Sequence, residues 1–482
     1  MKLYIPKMDL TQAREFLGYP EWRPDQKAAL EAAQTGRDGI ILIPTGGGKS
    51  AIFQALGVMD TRLCLVISPL IALMADQVRS LKDRGVSAEL FNSSQGVREK
   101  RAVIEAVKAG ELDILYVSPE RLQSEEFLEI LSYREIGLLV VDECHCCLQW
   151  GHDFRPDYAR ILQFRRRYSE LQLLAFTATA TPTDVKEIKQ QLGIENGFEV
   201  HGSIDRKNLN IRVQPVGQLT RGTVAGRIMD VYKEISHGTT IIYAGTRKAC
   251  DALLKSCSSY YPNRNVMMYH GGMNDGDRKK ISQRFVEIPN PIVIATNAFG
   301  MGIDRADVRK VIHFQMPGSM EAYYQEIGRA GRDGRDSEAV MLHHYTDRRL
   351  QDYFIMLAAK DEPVYKTLVW EVEKAKVWTD LHKDSGIAHL QRKGLVEALG
   401  NKTYKLTQSS NETFKSPAWK DLISWSSAYL AAQRAKIEKV LSFATSSGIV
   451  NTKCRRKFLL EHFGQPGVSL PSKCCDVCKR RG

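Results

Sequence analysis

Residues 39–50 constrain the fold of this 482-residue chain more than any other segment. An apolar run at 39–43 leads into a loop of proline, threonine and three glycines, and a helical stretch follows the loop. Successive glycines allow backbone N–H groups to turn inward around a phosphate, and the start of a helix adds favourable potential. The segment therefore predicts a site for nucleotide phosphates.

The predicted phosphate loop contains Thr45, Gly46, Gly47, Gly48, Lys49 and Ser50. In loops of this kind the lysine reaches the β- and γ-phosphates and the serine ligates Mg²⁺, which gives Lys49 and Ser50 these roles. The usual pattern begins with glycine where this chain has Ile43, so an ordinary glycine-rich turn is the alternative. The preceding strand and the following helix favour the phosphate loop.

Short apolar runs alternate with longer amphipathic stretches from about residue 25 to residue 200, and the pattern restarts after about residue 210. The candidate strands are 39–43, 63–68, 114–117, 138–141 and 173–176, then 239–243, 265–269, 291–295, 308–314 and 339–343. Buried strands separated by helices indicate a parallel sheet, whose ligands collect at the carboxyl ends of the strands. The pattern predicts two α/β domains in tandem.

Two adjacent carboxylates, Asp142 and Glu143, follow the apolar strand candidate at 138–141. In a phosphate-loop domain, an acid in this position can hold Mg²⁺, and the next carboxylate can orient the attacking water. Acidic pairs are also common on solvated surfaces, so the functional interpretation depends on the phosphate loop upstream.

The second α/β domain contains a glycine-flanked pair of arginines within residues 325–334. Its candidate site residues are Gln325, Arg329 and Arg332. Phosphoryl transfer needs positive charge at the γ-phosphate, which an arginine finger commonly supplies, and neighbouring glycines permit close approach. The alternative is a helix with surface arginines in an ordinary loop.

The net charge of +12 favours a polyanionic partner such as nucleic acid, because Lys and Arg neutralise phosphates. A basic protein without a nucleic-acid role is the alternative. No apolar run approaches the ~20 residues that span a bilayer, and no secretory signal is present, so we expect an intracellular protein with no membrane partner. Ten cysteines without a signal argue against disulfides, and Cys64, Cys250 and Cys257 are interpreted as small apolar residues.

Several segments together resemble the motifs of superfamily 2 helicases, namely residues 142–145, 177–180, 294–304 and 325–334. More narrowly, the chain resembles the RecQ family of DNA helicases. Residues 18–26 are similar to that family's N-terminal motif, 68–74 and 116–121 to its DNA-tracking motifs, and 149–158 to its aromatic-rich loop.

The resemblance implies further nucleotide contacts. It implies that Tyr19 stacks on adenine while Arg23 and Gln26 read the edges of the base. It also adds Gly302 and Asp304, from the fifth motif, to the residues around the nucleotide.

The aromatic-rich loop implies a link between single-stranded DNA and ATP hydrolysis. Its candidate DNA-binding residues are Trp150, His152, Phe154 and Arg155. Aromatic faces stack on bases without sequence preference, and arginine adds cation–π and phosphate contacts. A buried aromatic cluster is the alternative, which the charged residues and the glycine and proline in this loop oppose.

Four cysteines near the C-terminus, Cys454, Cys474, Cys475 and Cys478, resemble the ligands of the RecQ zinc-binding module. Thiolates at such spacing suit a tetrahedral Zn²⁺ that would hold a small segment together. The sequence departs from the family spacing, because Ser472 occupies the expected position of the third cysteine and Cys474 stands beside Cys475. Free thiols are the alternative.

Residues 361–432 interrupt the family pattern. Within them, 385–394 predict a helix that ends at glycine, and 395–399 and 403–406 flank a hairpin signal at 400–402. A helix followed by a β-hairpin is the outline of a winged helix. We interpret the insert as a winged-helix-like element that contacts duplex DNA; a helical spacer that only packs on the motor is the alternative.

The sequence therefore predicts an α/β protein with two tandem RecA-like domains, a helical and winged-helix-like insert, and a small zinc-binding module, at 1–207, 208–350, 351–435 and 436–482. The resemblance implies an ATP-dependent DNA helicase with ATP, Mg²⁺ and Zn²⁺ as cofactors. It implies 3′-to-5′ travel, unwinding in recombination and repair, single-stranded and forked duplex DNA as partners, and a cytoplasmic, nucleoid or nuclear location. An RNA helicase and a non-catalytic DNA-binding scaffold are the rival functions.

Overall fold

The structure is a computed structural model. It describes residues 7–69, 71–92, 95–148, 156–168, 170–216, 224–235, 237–300, 305–374, 381–400, 403–445, 454–467 and 474–479.

The first lobe is a seven-stranded parallel sheet in the order β3-β4-β2-β5-β6-β1-β7. Its strands are β1 Gly39–Leu42, β2 Leu63–Ile67, β3 Ala88–Phe91, β4 Ile114–Val117, β5 Ile136–Val141, β6 Gln172–Thr177 and β7 Phe198–His201. Its helices are α1 Leu10–Phe16, α2 Pro24–Ala33, α3 Lys49–Met59, α4 Ile71–Asp83, α5 Val97–Lys108, α6 Glu125–Ser132, α7 Ala159–Arg167 and α8 Pro182–Leu192. Short 3₁₀ helices occupy Pro119–Gln123, Cys144–Cys147 and Pro156–Tyr158.

The central strands of the first lobe are buried on both faces. In β1, Ile40 and Leu42 pack into the hydrophobic core on one side of the sheet, while Ile41 joins the core on the other side. Successive side chains of a strand point to opposite faces, so a strand covered by helices on both sides must be apolar throughout. This explains the uninterrupted apolar runs in the sequence.

The second lobe is a six-stranded parallel sheet in the order β10-β11-β9-β12-β13-β8. Its strands are β8 Leu209–Pro215, β9 Thr239–Tyr243, β10 Val266–Tyr269, β11 Ile292–Ala295, β12 Val308–His313 and β13 Ser337–His343. Its helices are α9 Val224–Glu234, α10 Arg247–Tyr260, α11 Asp275–Glu287, α12 Met320–Ile327 and α13 Asp347–Ala358. The prediction of two tandem parallel-sheet lobes is confirmed.

The C-terminal third is helical apart from one hairpin. Its helices are α14 Glu362–Glu373, α15 Leu381–Arg392, α16 Ser410–Lys415, α17 Pro417–Thr445, α18 Arg455–His462 and α19 Asp476–Lys479. Strands β14 Val396–Gly400 and β15 Thr403–Leu406 pair antiparallel, at the place where the sequence predicts a hairpin. Gly394, predicted to end the preceding helix, has a φ of +69°.

Helix α17 joins the insert to the second lobe. Trp419 and Leu422, near its start, complete a separate hydrophobic core with α14, α15 and β14. Val440 and Phe443, near its end, belong to the core of the second lobe together with residues of α18. The helix runs without a break through residue 435, where the sequence analysis divides the insert from the zinc module.

None of the helices in the described ranges combines the length and the hydropathy that crossing a membrane requires.

Candidate active site

The phosphate loop follows β1 and turns into α3. Gly46 and Gly48 both have a φ of +79°, a conformation that side chains disfavour. A Cβ atom on Gly47 would lie 2.3 Å from the Cγ2 atom of Ile43, and one on Gly48 would lie 2.3 Å from Gln26 Nε2. Backbone conformation and space therefore both require glycine in this turn.

Lys49 and Ser50 are the first two residues of helix α3. The Lys49 ammonium donates to the carbonyl oxygen of Ile43 at 3.3 Å, and Gln77 Nε2 donates to Ser50 Oγ at 3.1 Å. Ile43 itself is 1% exposed and packs into the core, so the isoleucine that departs from the usual loop pattern serves as a core residue. Gln77, on α4, is a neighbour of the site that the sequence analysis missed, because nothing in its local sequence distinguishes it.

Residues of the N-terminal motif lie beside the phosphate loop. Arg23 Nη1 donates to the carbonyl oxygen of Gly46 at 2.7 Å, and Gln26 Nε2 donates to that of Gly48 at 3.1 Å. The hydroxyl of Tyr19 donates to Gln54 Oε1 at 3.2 Å, and the Arg84 guanidinium lies 5.0 Å from the centroid of the Tyr19 ring. Arg23 and Gln26 thus support the loop.

The two predicted carboxylates stand at the carboxyl end of β5. Asp142 is 5% exposed; its carboxylate accepts from the backbone N–H of Glu143 at 3.0 Å and from the Ser68 hydroxyl at 3.5 Å. Burial, reinforced by the neighbouring Glu143 carboxylate and opposed by Lys49, raises the pKa of Asp142 to about 7. Burial disfavours the ionised form of the Asp142 carboxyl group. A bound cation would stabilise that ionised form, so this position suits a cation ligand.

Glu143 has a φ of 48°, one of two positive φ values among the non-glycine residues described. This left-handed turn is uncommon outside glycine, and such strain clusters at functional sites. The Glu143 carboxylate lies 3.4 Å from His145 Nδ1, which also forms a hydrogen bond of 2.9 Å with Thr177 Oγ1. His145 therefore connects the carboxylate pair to the end of β6.

The arginine segment of the second lobe meets the phosphate loop of the first. A Cβ atom on Gly46 would lie 3.2 Å from Arg332 Cγ, and one on Gly328 would lie 3.5 Å from Thr45 Cβ. Arg329 is 6% exposed, and Gln325 lies on α12 just before these residues. The structure thus brings Arg332 of the second lobe against the phosphate loop of the first, whereas the Arg329 guanidinium lies within the second lobe, beside Gly300.

The loop that carries Arg329 and Arg332 is fixed by two residues that the sequence analysis missed. Arg206 donates to the carbonyl oxygens of Gly328, Ala330 and Gly331 at 3.2, 2.7 and 2.8 Å. Asn208 Nδ2 donates to those of Gly331 and Arg335, each at 2.8 Å. Both lie on the segment between the lobes, more than 120 positions away in sequence, so no local pattern could reveal them.

The four C-terminal cysteines form a second candidate site. Their Sγ atoms all lie within 4.8 Å of one another, with separations of 3.3 Å for Cys454 and Cys474 and 3.5 Å for Cys475 and Cys478. Zn–S bonds of about 2.3 Å in a tetrahedron place sulfurs about 3.8 Å apart. The donor set fits Zn²⁺, and the adjacent Cys474 and Cys475 both contribute a thiol to the cluster.

The predicted DNA-binding residues Trp150, His152, Phe154 and Arg155, and the predicted nucleotide contacts Gly302 and Asp304, lie outside the described residues.

Two RecA-like sheets define an ATP-dependent helicase motor when, as here, the acidic pair neighbours Lys49 of the phosphate loop and the arginine loop at residues 328–334 packs on that loop. Residues 23–188 match the DEAD/DEAH box helicase family, 224–334 the helicase conserved C-terminal domain and 417–479 the RecQ zinc-binding family. A probable ATP-dependent DNA helicase RecS of Bacillus subtilis is 37% identical over 75% of this chain and 72% of its own length. The chain belongs to the RecQ family of ATP-dependent DNA helicases.

Other relatives are longer than the matched region. The ATP-dependent DNA helicase RecQ of Bacillus subtilis is 38% identical over 72% of this chain, but the match spans 58% of that RecQ. Among solved structures, the DUF1998 helicase MrfA bound to DNA shares the fold with a TM-score of 0.58 at 18% identity, covering 86% of this chain and 65% of MrfA. Helicase Lhr of Mycobacterium smegmatis, bound to single-stranded DNA and AMP-PNP, gives 0.57 at 18% identity over 90% of this chain and 62% of Lhr.

Proposed function

We propose that this chain hydrolyses ATP at the seam between its lobes and uses the cycle to move along single-stranded DNA and unwind duplex DNA. The carrying observation is the contact between the two lobes: the Arg332 side chain packs on Gly46 of the phosphate loop. In this position the second lobe can add an arginine to the nucleotide site that the phosphate loop of the first lobe forms.

Each residue of the seam then has a role. Lys49 binds the β- and γ-phosphates, and Arg332 stabilises negative charge on the γ-phosphate as it transfers, with Arg329 as the alternative finger. Ser50 and Asp142 would hold Mg²⁺, which neutralises phosphate charge, and Glu143 orients the attacking water. The Arg23 and Gln26 bonds to the loop support their proposed place beside adenine, with Tyr19 stacked on the base.

An ATPase assay with single-stranded DNA, RNA or no nucleic acid tests this function. We expect turnover that DNA stimulates, and its loss in Lys49→Ala, whereas Lys457→Ala, an exposed lysine on α18, retains it. Arg332→Ala should lower kcat by about a thousandfold, as removal of an arginine finger does. Stimulation by RNA alone would support an RNA helicase, and no turnover would support a scaffold.

We further propose travel from 3′ to 5′, activity on forked duplex DNA, and work in recombination and repair at the nucleoid or nucleus. Family membership supports this assignment, and the net charge of +12 favours a nucleic-acid partner. Unwinding of partial duplexes with a 3′ or a 5′ tail measures the polarity: a 3′ tail should be required. Preference for the 5′ tail would refute it.

The aromatic-rich loop is proposed to sense single-stranded DNA, because stacked aromatic side chains hold bases of any sequence. Trp150→Ala should therefore reduce DNA-stimulated ATPase about tenfold while leaving the basal rate within about twofold, since stacking energies of about 1–3 kcal/mol are lost only when DNA is bound. The two rates are measured on the same preparation. An equal loss in both would contradict the sensing role.

The insert is proposed to contact duplex DNA through its hairpin. Leu399, next to the hairpin turn, is 57% exposed, and apolar side chains at such positions can wedge between base pairs. The insert has a separate hydrophobic core, which can hold the hairpin in a fixed position.

Leu399→Asp should reduce unwinding without changing DNA-stimulated ATPase. Val286→Asp, a 52% exposed valine on α11, is the control. The point change is preferable to deletion of the insert, because Trp419 and Leu422 of α17 complete the insert's core. Unchanged unwinding by Leu399→Asp would favour the spacer instead.

A further inference from the structure

Residues 202–208 link β7 of the first lobe to β8 of the second, and the zinc module bonds to the backbone of this linker. The contacts come from residues 454–467 of the zinc module. Gln465 Nε2 donates to the carbonyl oxygen of Gly202 at 2.7 Å, and the N–H of Ile204 donates to Gln465 Oε1 at 3.1 Å. The Gln465 side chain therefore forms hydrogen bonds with two peptide groups of the linker.

Arg456 makes a second attachment, two positions after the zinc-ligand candidate Cys454. Its guanidinium donates to Asp205 Oδ1 at 2.5 Å and to the carbonyl oxygens of Arg206 and Leu209, both at 2.6 Å. The side chains of Arg456 and Asp205 are 4% and 1% exposed. A buried charge is tolerated when its hydrogen bonds are made in a defined geometry, so this contact fixes the linker's path.

The linker in turn holds the arginine loop. Arg206 follows Asp205 directly, and its guanidinium bonds three carbonyl oxygens in residues 328–331. These residues surround Arg329 and immediately precede Arg332. A displacement of the Arg206 backbone therefore moves the groups that aim Arg332 at the phosphate loop.

The other end of the linker is tied to the first lobe. The N–H of Gly202 donates to the carbonyl oxygen of Leu42 at 2.7 Å, at the end of the strand that precedes the phosphate loop. The N–H of Ser203 donates to Asp25 Oδ2 at 3.3 Å. Gly464, next to Gln465, packs closely against Pro182 of α8. A Cβ atom on Gly464 would lie 2.5 Å from Pro182 Cγ.

We propose that Gln465 and Arg456 are positioning residues for ATP cleavage. Through the linker and Arg206, the zinc module sets the placement of Arg332 against the phosphate loop. The module thus controls the chemical step of the motor in addition to any part in folding or DNA contact. This inference rests on the role proposed above for Arg332.

Three variants of the full-length protein test the coupling: Gln465→Ala, Arg206→Lys and the double variant. Gln465→Ala should lower the kcat of DNA-stimulated ATPase about tenfold with the KM for ATP within about twofold, because a finger acts in the transition state rather than in substrate binding. Zinc content and affinity for single-stranded DNA should be unchanged. Gln191→Ala, an exposed glutamine near the end of α8, is the matched control.

The double variant distinguishes positioning from general stabilisation. Arg206→Lys keeps the charge but loses the fork that spans three carbonyl groups, so once the arginine loop is released, Gln465→Ala should lower kcat by less than about twofold more. Additive losses, an unchanged kcat in Gln465→Ala, or loss of zinc in that variant would each overturn the inference while wild-type turnover stands. Absence of turnover in the wild type would instead overturn the proposed function itself.

Discussion

At the scale of single residues, the site depends on backbone conformations that few side chains adopt. Glu143 is held at a φ of 48° between Asp142 and His145, and its carboxylate lies 3.4 Å from His145 Nδ1. Gly331, beside Arg332, has a φ of +59°, and a Cβ atom there would lie 2.5 Å from Asn208 Nδ2 and 2.7 Å from Ser337 Oγ. The arginine loop can thus take its path only with glycine at this position.

Gly331→Ala should lower the kcat of DNA-stimulated ATPase by at least about tenfold, because left-handed strain and the clash displace Arg332 from its place at the γ-phosphate. Gly334→Ala is the control. Gly334 has a φ of +80°, but a Cβ atom there meets nothing within 4 Å, so it tests backbone strain without the clash. Equal effects of the two substitutions would show that space around residue 331 is unimportant.

Cysteines illustrate how the same residue type serves different roles. Cys64, Cys250 and Cys257 are buried in hydrophobic cores, as the sequence analysis expects. Burial raises the pKa of Cys250 and of Cys257 to about 12, so both thiols stay protonated near neutral pH. They act as small apolar side chains, in contrast to the converging C-terminal cysteines.

At the scale of elements, three strands escaped the sequence analysis: β3, β7 and β8. All three lie at sheet edges, where one long side of the strand has no neighbour. Polar residues alternate with apolar ones along β7 and β8, so neither shows the apolar run that marks a central strand. Central strands are covered on both faces and are apolar throughout, whereas these edge strands are partly exposed. The edge strands therefore lack the apolar run by which the sequence analysis identifies a strand.

The zinc module is the element whose ligand assignment is most directly testable. Cys474→Ser should reduce bound zinc from about one ion per chain, because a structural tetrahedral site uses four protein ligands. The thermal unfolding midpoint should fall together with the metal content, since metal binding is coupled to the folding of such segments. Metal content is measured by atomic absorption after gel filtration.

Cys475→Ser is the positive control, and Cys257→Ala, in the core of the second lobe, is the negative one. Full zinc retention in Cys474→Ser alongside loss in Cys475→Ser would exclude Cys474 as a ligand and identify a different fourth donor.

At the scale of the whole molecule, contacts between distant segments join the lobes, the insert and the zinc module. Helix α17 contributes to the insert's core at one end and to that of the second lobe at the other. Glu321 of the second lobe and His462 of the zinc module form a buried pair, with Glu321 Oε1 2.6 Å from His462 Nε2. Burial alone would raise the pKa of Glu321, but the hydrogen bond and charge of His462 outweigh it and lower this pKa to about 2.

Glu321→Gln should lower the thermal unfolding midpoint at pH 7, through loss of about 2 kcal/mol of stabilisation, an order of magnitude for such a pair. A carboxyl group with a depressed pKa stabilises the fold above its unfolded-state pKa of about 4.3, and that stabilisation is lost as pH falls towards 2. The gap between variant and wild type should therefore be fully present at about pH 5 and narrow as the pH falls further.

Glu195→Gln, at an exposed position of the first lobe, is the control and should match the wild type. A gap that stays constant down to pH 3 would mean that the pair does not stabilise the fold in its ionised form.

The sequence by itself determined the two tandem parallel-sheet lobes, the phosphate loop, the acidic pair and the hairpin of the insert. Each of these depends on local patterns: buried runs, glycine spacing and turn residues act within a few positions of one another. Only the tertiary structure decided which distant residues meet. Arg206 and Asn208 form hydrogen bonds with the arginine loop, and Gln77 forms one with Ser50. Gln465 and Arg456 form hydrogen bonds with the linker between the lobes. These contacts join residues far apart in the chain, and their side chains are common types whose partners depend on how the segments pack.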